Sequence, residues 1–149
     1  MSFRLYQVIV KGMYTLCFTA PIRHGVFSHF KKEEDSAMKS GKLDEELSRM
    51  NEITEHLQSG SMMLFNESFS ATNEREGSEI CRQITQALVD NGVEVFSVTH
   101  LYTYATAFLD NSKAQFLWAQ RLHSNERTYK VVPGEPMQTA FGLDLYNVR

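Results

Sequence analysis

The order of the apolar patterns along the chain predicts an α/β fold, with a mostly parallel sheet flanked by helices and a C-terminal antiparallel hairpin. Short apolar runs, typical of strands, alternate with segments whose apolar residues recur every three or four positions, as in helices. A polar turn separates the last two runs, which is typical of a hairpin. The 149 residues, of which 42% are hydrophobic and 22% charged, suit a single globular domain.

The N-terminal segment over residues 3–18 is predicted to be a helix that ends at Ala20-Pro21. Its apolar residues fall at helical spacing: Phe3, Tyr6, Ile9, Val10, Met13 and Cys17. The run over 25–30 then predicts a short strand, and the charged stretch over 31–36 predicts a solvated loop.

A long amphipathic helix is predicted from Ser40 onward, ending at Ser59-Gly60. Its apolar stripe recurs at three- and four-residue steps with acidic residues between: Leu43, Leu47, Met50, Ile53 and Leu57. The apolar run over 62–65 follows a turn, which predicts a strand buried on both faces.

The second half of the chain continues the alternation after a polar loop over 66–77. The next segment predicts a helix capped by Asn91-Gly92, with an inner face of Ile80, Ile84, Ala87 and Leu88. Residues 93–99 predict a strand and residues 102–109 a short helix. Residues 114–122 and 127–132 predict the two strands of the hairpin.

Charge and cysteine content exclude several classes of protein. Fifteen basic and eighteen acidic residues give a net charge of −3, whereas a dedicated nucleic-acid binder usually has a basic excess. Cys17 and Cys81 form neither a disulfide framework nor a metal motif, which favours a reducing cytoplasmic location. No apolar run approaches the roughly 18 residues that a membrane span requires, so no membrane association is expected.

Polar residues with catalytic potential follow two of the predicted strands. Asn66 and Glu67 come directly after the first, and Thr99 and His100 end the second. Ligands bind at the carboxyl ends of strands in parallel sheets, so we expect the two strands to be adjacent and central, with Glu67 and His100 at one edge. An acid there can orient a water for attack on a phosphate, and a histidine can contact that phosphate.

Several segments, in order, resemble motifs of the MutS family of DNA mismatch repair ATPases. Residues 64–77, LFNESFSATNEREG, are similar to its Walker B strand and D-loop, where the family has Asp-Glu, a turn of small residues and an acid-Gly pair. Val98-Thr99-His100 resembles its switch motif, while Val132-Pro133-Gly134 and Phe141-Gly142-Leu143 resemble pieces of its C-terminal hairpin region. Glu46 precedes Glu67 by 21 residues, matching the family's spacing from the signature helix.

The resemblance implies an incomplete P-loop NTPase fold of the ABC-like type, in which ATP turnover by a dimer drives a conformational change on DNA. The implied cofactors are ATP and Mg²⁺. Glu67 would be the general base that polarises the attacking water, and His100 would contact the γ-phosphate. Asn66 stands where the family has an Asp, so Asn66 and Glu67 would hold the Mg²⁺ indirectly.

The other nucleotide contacts that the resemblance implies come from two loops. Ser70 and Thr72 belong to the D-loop, which in this family crosses the dimer interface, although residues of this kind also cap a helix beginning near Asn73. Ser40 lies where the signature loop reaches the partner's nucleotide, while ungapped counting from Glu46 puts the signature Ser on Gly41. The remaining histidines are interpreted as solvated or incidental: His24, His29, His56 and His123.

The printed sequence contains no Gly-x-x-x-x-Gly-Lys-Ser/Thr phosphate loop. Because residues 1–4 resemble those that follow this loop, the chain is expected to begin just downstream of it. We therefore expect little or no ATPase activity from the chain alone, and millimolar or weaker ATP affinity.

The partners expected are a second copy of the chain, paired through the first helix, and DNA bound through other domains of the parent protein. A non-catalytic dimerisation or interaction module derived from the same ATPase domain is an alternative. Another ABC-like ATPase is a third, which the D-loop spacing over 69–77 disfavours.

Overall fold

The computed structural model describes residues 2–5, 18–31, 41–122 and 127–138. Ten elements follow one another along the chain: β1 (Ser2–Leu5), β2 (Phe18–Pro21), β3 (Val26–Phe30), α1 (Lys42–Thr54), β4 (Met62–Asn66), α2 (Glu74–Asp90), β5 (Glu94–Val98), α3 (Tyr102–Thr106), β6 (Leu117–Arg121) and β7 (Arg127–Pro133). The chain is thus α/β, as the alternation of apolar patterns predicts.

A three-stranded parallel sheet in the order β3-β4-β5 forms the centre of the fold. Val26, Met62 and Glu94 lie side by side in its register. The predicted adjacency of the strands over 62–65 and 93–99 is confirmed by this pairing. The expectation that both are central is wrong for the described sheet, because β5 lies at its edge.

Two antiparallel pairs accompany the parallel sheet. β6 and β7 form the predicted C-terminal hairpin, with a register irregularity between Ala119 and Arg121. β1 and β2 pair so that Leu5 lies opposite Phe18.

The β1–β2 pair overturns the predicted N-terminal helix at both of its ends. Residues 2–5 and Phe18 are extended, and aromatic and β-branched residues of the kind found here fit a strand as well as a helix. Tyr6, Ile9, Val10, Met13 and Cys17 lie outside the described residues, and so does most of the loop predicted over 31–36.

The core lies on one face of the parallel sheet. Met63 and Phe65 of β4 pack there with Met50 of α1 and with Cys81 and Leu88 of α2. On α2 the predicted inner face is correct at Leu88 but wrong at Ala87, which is exposed. Besides Leu88, the buried residues of α2 are Gly77, Ser78, Cys81 and Thr85. These are small or polar residues, which hydrophobic periodicity does not detect.

The opposite face of the sheet is open among the described residues. Four of its apolar side chains are 48–62% exposed: Val26, Phe30, Phe96 and Val98. The two on the central strand, Met62 and Leu64, are half-buried. The expectation that the run over 62–65 is buried on both faces is therefore met fully on one face only: Met63 and Phe65 are buried against α1 and α2, whereas Met62 and Leu64 on the other face are half-buried. No helix in the described ranges is both long and apolar enough to cross a membrane.

Candidate functional site

The carboxyl ends of β4 and β5 bring Glu67 and His100 into contact. The Glu67 backbone N–H donates to the Val98 carbonyl oxygen at 2.9 Å, which continues the strand pairing one residue past β4. Nδ1 of His100 is hydrogen-bonded to a Glu67 carboxylate oxygen. The expectation that these two residues share one edge of the sheet is thereby confirmed. The pair can accept a proton at Glu67 and offer the second nitrogen of His100 to a ligand.

The turn after β4 gives Glu67 its direction. Glu67 and Phe69 have φ angles of +53° and +58°, in the left-handed region that non-glycine residues rarely adopt. Ser68 between them is buried, while the Ser70 hydroxyl donates to the Glu67 carbonyl oxygen at 2.7 Å. The turn is therefore held by the burial of Ser68 on one side and by the hydrogen bond from Ser70 on the other.

His100 is placed by the start of α3. Leu101 is buried directly behind it, and the Leu101 N–H donates to Thr99 Oγ1 at 3.0 Å. A Glu74 carboxylate oxygen on α2 accepts from the N–H and the hydroxyl of Thr103, at 3.2 and 3.0 Å. The His100 side chain itself is 58% exposed, so a ligand can reach it.

The loop before α2 works as a helix cap. Asn73 accepts from the Glu76 N–H at 3.0 Å, as residues at this position commonly do. The Thr72 hydroxyl donates to the Glu76 carboxylate at 2.6 Å. The hydrogen bond from the Thr72 hydroxyl, followed by one between the side chains of Asn73 and Glu76, lowers the pKa of Glu76 below its usual value.

A polar cavity of about 390 Å³ lies beside His100. Of the candidate nucleotide-contacting residues, Ser70, Thr72 and His100 all line it. Asn66 lies instead on the open sheet face, in register with Phe30 and Val98. Ser40 lies outside the described residues. Further lining comes from Glu74, Tyr102, Thr103 and Gln138.

The strand-end residues suit only an indirect Mg²⁺ contact. In the described ranges, no three His, Cys, Asp or Glu side chains gather as a ligand set. Mg²⁺ is commonly held by one or two carboxylates together with phosphate oxygens and waters. Glu67 supplies one carboxylate at this edge, whereas the exposed side chain of Asn66 belongs to the open sheet face.

Sequence reasoning missed a buried polar network behind the site. His29 is 0% exposed, so its interpretation as solvated is wrong. Its Nδ1 lies 2.8 Å from the Ser68 hydroxyl oxygen, and its Nε2 lies 3.0 Å from the Glu46 carbonyl oxygen and 3.2 Å from the Arg49 guanidinium. Strand alternation puts His29 on the same face as Phe27, which packs on the core, but the sequence does not show which face of this strand the helices cover.

Burial dominates the electrostatics of this network. It lowers the pKa of His29, with the positive charge of Arg49 acting in the same direction. It raises the pKa of Glu46, although the Phe69 N–H bonds to that carboxyl and opposes the shift. Burial also raises the pKa of the Cys81 thiol to about 12, so this cysteine is not a nucleophile near neutral pH.

Comparison with known proteins leaves the family open. A scan against protein-family models found no match for this chain, and a search of the curated proteins found none either.

Proposed function

We propose that the chain supplies the water-activating half of an ATP-hydrolysing site in a MutS-like DNA mismatch repair protein of the P-loop NTPase class. The observation that carries this proposal is the hydrogen bond between Glu67 and His100 at the carboxyl ends of two adjacent parallel strands. Ligand chemistry in parallel α/β sheets is concentrated at that edge.

In the proposed reaction, Glu67 accepts a proton from the attacking water. One of its carboxylate oxygens is bonded to Nδ1 of His100, so the other is left for the water. His100 thereby fixes the direction of the base, and in its doubly protonated form its Nε2–H would donate to a γ-phosphate oxygen. Mg²⁺ would neutralise the negative charge on the phosphate groups.

The loop before α2 would supply further nucleotide contacts. Ser70 and Thr72 line the cavity next to His100, where a nucleotide or a partner's nucleotide would be contacted. The printed sequence lacks the phosphate-loop motif, so another polypeptide segment would have to supply the main phosphate cradle. The net charge of −3 favours DNA binding through other domains, and the scarcity of cysteine favours a cytoplasmic location.

Titration of the ¹⁵N-labelled protein with MgATP and with MgADP tests the proposal, because backbone amide shifts detect millimolar binding. We expect shifts at Asn66, Glu67 and His100, larger with MgATP because His100 would contact the γ-phosphate. The variant His100→Gln should lose the difference between the two nucleotides. The matched control His56→Gln, before the amino end of β4, should keep it.

Equal shifts with both nucleotides, or shifts confined to other parts of the protein, would contradict the proposal. Affinity in the micromolar range would contradict the need for a second phosphate-binding segment, because a missing loop removes several bonds of roughly 1.5–3 kcal/mol each.

A second candidate function, a dimerisation module, is favoured by the open sheet face of Val26, Phe30, Phe96 and Val98. Parallel sheets are almost always covered on both faces. The middle and the Phe30–Val98 end of this face carry no charge, so two copies placed face to face would not repel each other there. A second copy of the chain is therefore the occupant that we propose.

A further inference from the structure

We propose that His29 is a positioning residue for Glu67. From its buried place on β3 it fixes the turn over residues 67–69, and thereby holds the Glu67 carboxylate against Nδ1 of His100. The catalytic meaning of that contact rests on the proposed function, whereas the contacts of the turn stand independently of it.

The turn needs external support because of its backbone. Glu67 and Phe69 both have positive φ angles, +53° and +58°, without being glycine. Such residues persist only where the surrounding structure determines their conformation. Whatever fixes Ser68 and Phe69 therefore also sets the direction in which the Glu67 side chain leaves the turn.

His29 contacts both residues that follow Glu67. The Ser68 hydroxyl donates to the His29 carbonyl oxygen at 2.7 Å, which leaves its oxygen to accept from Nδ1 of the His29 ring at 2.8 Å. The Phe69 ring stacks on the His29 ring, with centroids 5.0 Å apart and planes 17° from parallel. One side chain of the neighbouring strand thus holds a hydroxyl and an aromatic ring of the turn together.

Other groups secure the turn from the helix side. The Cys81 thiol donates to the Ser68 carbonyl oxygen at 3.4 Å, and the Phe69 N–H bonds to the Glu46 carboxyl. These contacts act on the main chain. Among the contacts in the described part of the protein, the His29 ring is a partner of both the Ser68 hydroxyl and the Phe69 ring. Its loss would leave the Ser68 hydroxyl bonded only to the His29 carbonyl oxygen and the Phe69 ring only in edge-to-face contact with Phe65, so the turn would be held less firmly at both residues.

The expected consequence is visible at His100. Because Glu67 accepts from Nδ1, neutral His100 should carry its proton on Nδ1, whereas a free imidazole favours Nε2. Long-range ¹H–¹⁵N spectra at about pH 8.5 report which nitrogen is protonated, and the spectrum of His100→Gln identifies the His100 signals. This readout depends on the direction of Glu67 and not on stability or on nucleotide binding.

Three variants test the positioning role. Ser68→Ala removes the hydroxyl, and His29→Phe keeps a stacking ring without its nitrogens; both should lower the Nδ1–H share of His100 at least about two-fold. His29→Asn, whose amide reaches the place of Nδ1, should retain it. The matched control Ser61→Ala removes another buried hydroxyl, just before the amino end of β4, and should leave His100 unchanged.

An unchanged Nδ1–H share in folded Ser68→Ala and His29→Phe would overturn the proposal, as would wild-type protein with the tautomer ratio of free imidazole. If His29→Phe does not fold, Ser68→Ala decides alone. If the wild-type protein shows no amide shifts with MgATP but His100 carries its proton on Nδ1, and the variants lower that share as expected, the proposed function is rejected and the positioning role stands.

Discussion

Nδ1 of His100 is hydrogen-bonded to a carboxylate oxygen of Glu67 across the carboxyl ends of β4 and β5. Each partner is placed by its own strand and by a short segment after it, the turn over residues 67–69 for Glu67 and the start of α3 for His100. The contact therefore depends on the relative position of two elements, and changes in the buried network behind it should be transmitted to the site.

Glu46→Gln should stabilise the protein at pH 8. Glu46 is 3% exposed, one of its carboxylate oxygens has no hydrogen-bond partner among the described residues, and burial raises its pKa. A raised pKa means that the ionised form opposes folding, so the gain should be about 1 kcal/mol at pH 8 and should vanish near pH 4. Urea unfolding measures it, with the exposed Glu52→Gln as control. Destabilisation at pH 8 would show that attraction to Arg49 outweighs burial.

The free energy of unfolding should fall as the pH drops below about 6.5, where an unfolded histidine takes up a proton. Burial lowers the pKa of His29, so the unfolded state binds more protons in this range and becomes favoured. The charged groups around the ring are Arg49 and Glu45. His29→Asn should flatten the wild-type slope between pH 7 and 5.5, while the exposed His56→Asn should not. Equal slopes in wild type and His29→Asn would assign the acid sensitivity to another group.

Much of the fold could be predicted because the spacing of apolar residues and the turn residues between them indicate the same helices and strands along most of the chain. Leu43, Met50 and Ile53 mark α1 at helical spacing, and the run over 62–65 marks β4. The edge position of Glu67 and His100 followed from the rule that parallel strands end together.

Other features had no clear signal in the sequence. Residues 2–5 are compatible with the residue spacing of a helix or of a strand, and they form a strand because they pair with β2. His29 stands between Ser28 and Phe30, so its burial depends on which strand face the helices cover. The positive φ angles of Glu67 and Phe69 were hidden because neither residue is a glycine.

Phe69 offers a direct test of the turn geometry. It is fully buried, so truncation to Ala should cost about 3–5 kcal/mol. At φ +58° an alanine carries a left-handed strain of about 1–2 kcal/mol that glycine avoids, so Phe69→Gly should be at least as stable as Phe69→Ala. The matched pair at Phe65, which lies in extended β4, should show the usual order, with Gly less stable than Ala. Chemical denaturation gives both differences, and the usual order at both positions would argue against the turn.

The open sheet face predicts weak, concentration-dependent dimerisation. Three strands of five residues span about 14 by 17 Å, well short of the roughly 800 Å² per partner that a stable interface buries. The average mass in sedimentation equilibrium should therefore rise above 17.1 kDa only toward high micromolar concentration. Phe96→Ser, in the middle row of the face, should abolish the rise, while Leu109→Ser, which removes an exposed apolar side chain after α3, should not. A monomer at every concentration, or equal effects of both variants, would rule out this face as the dimer interface.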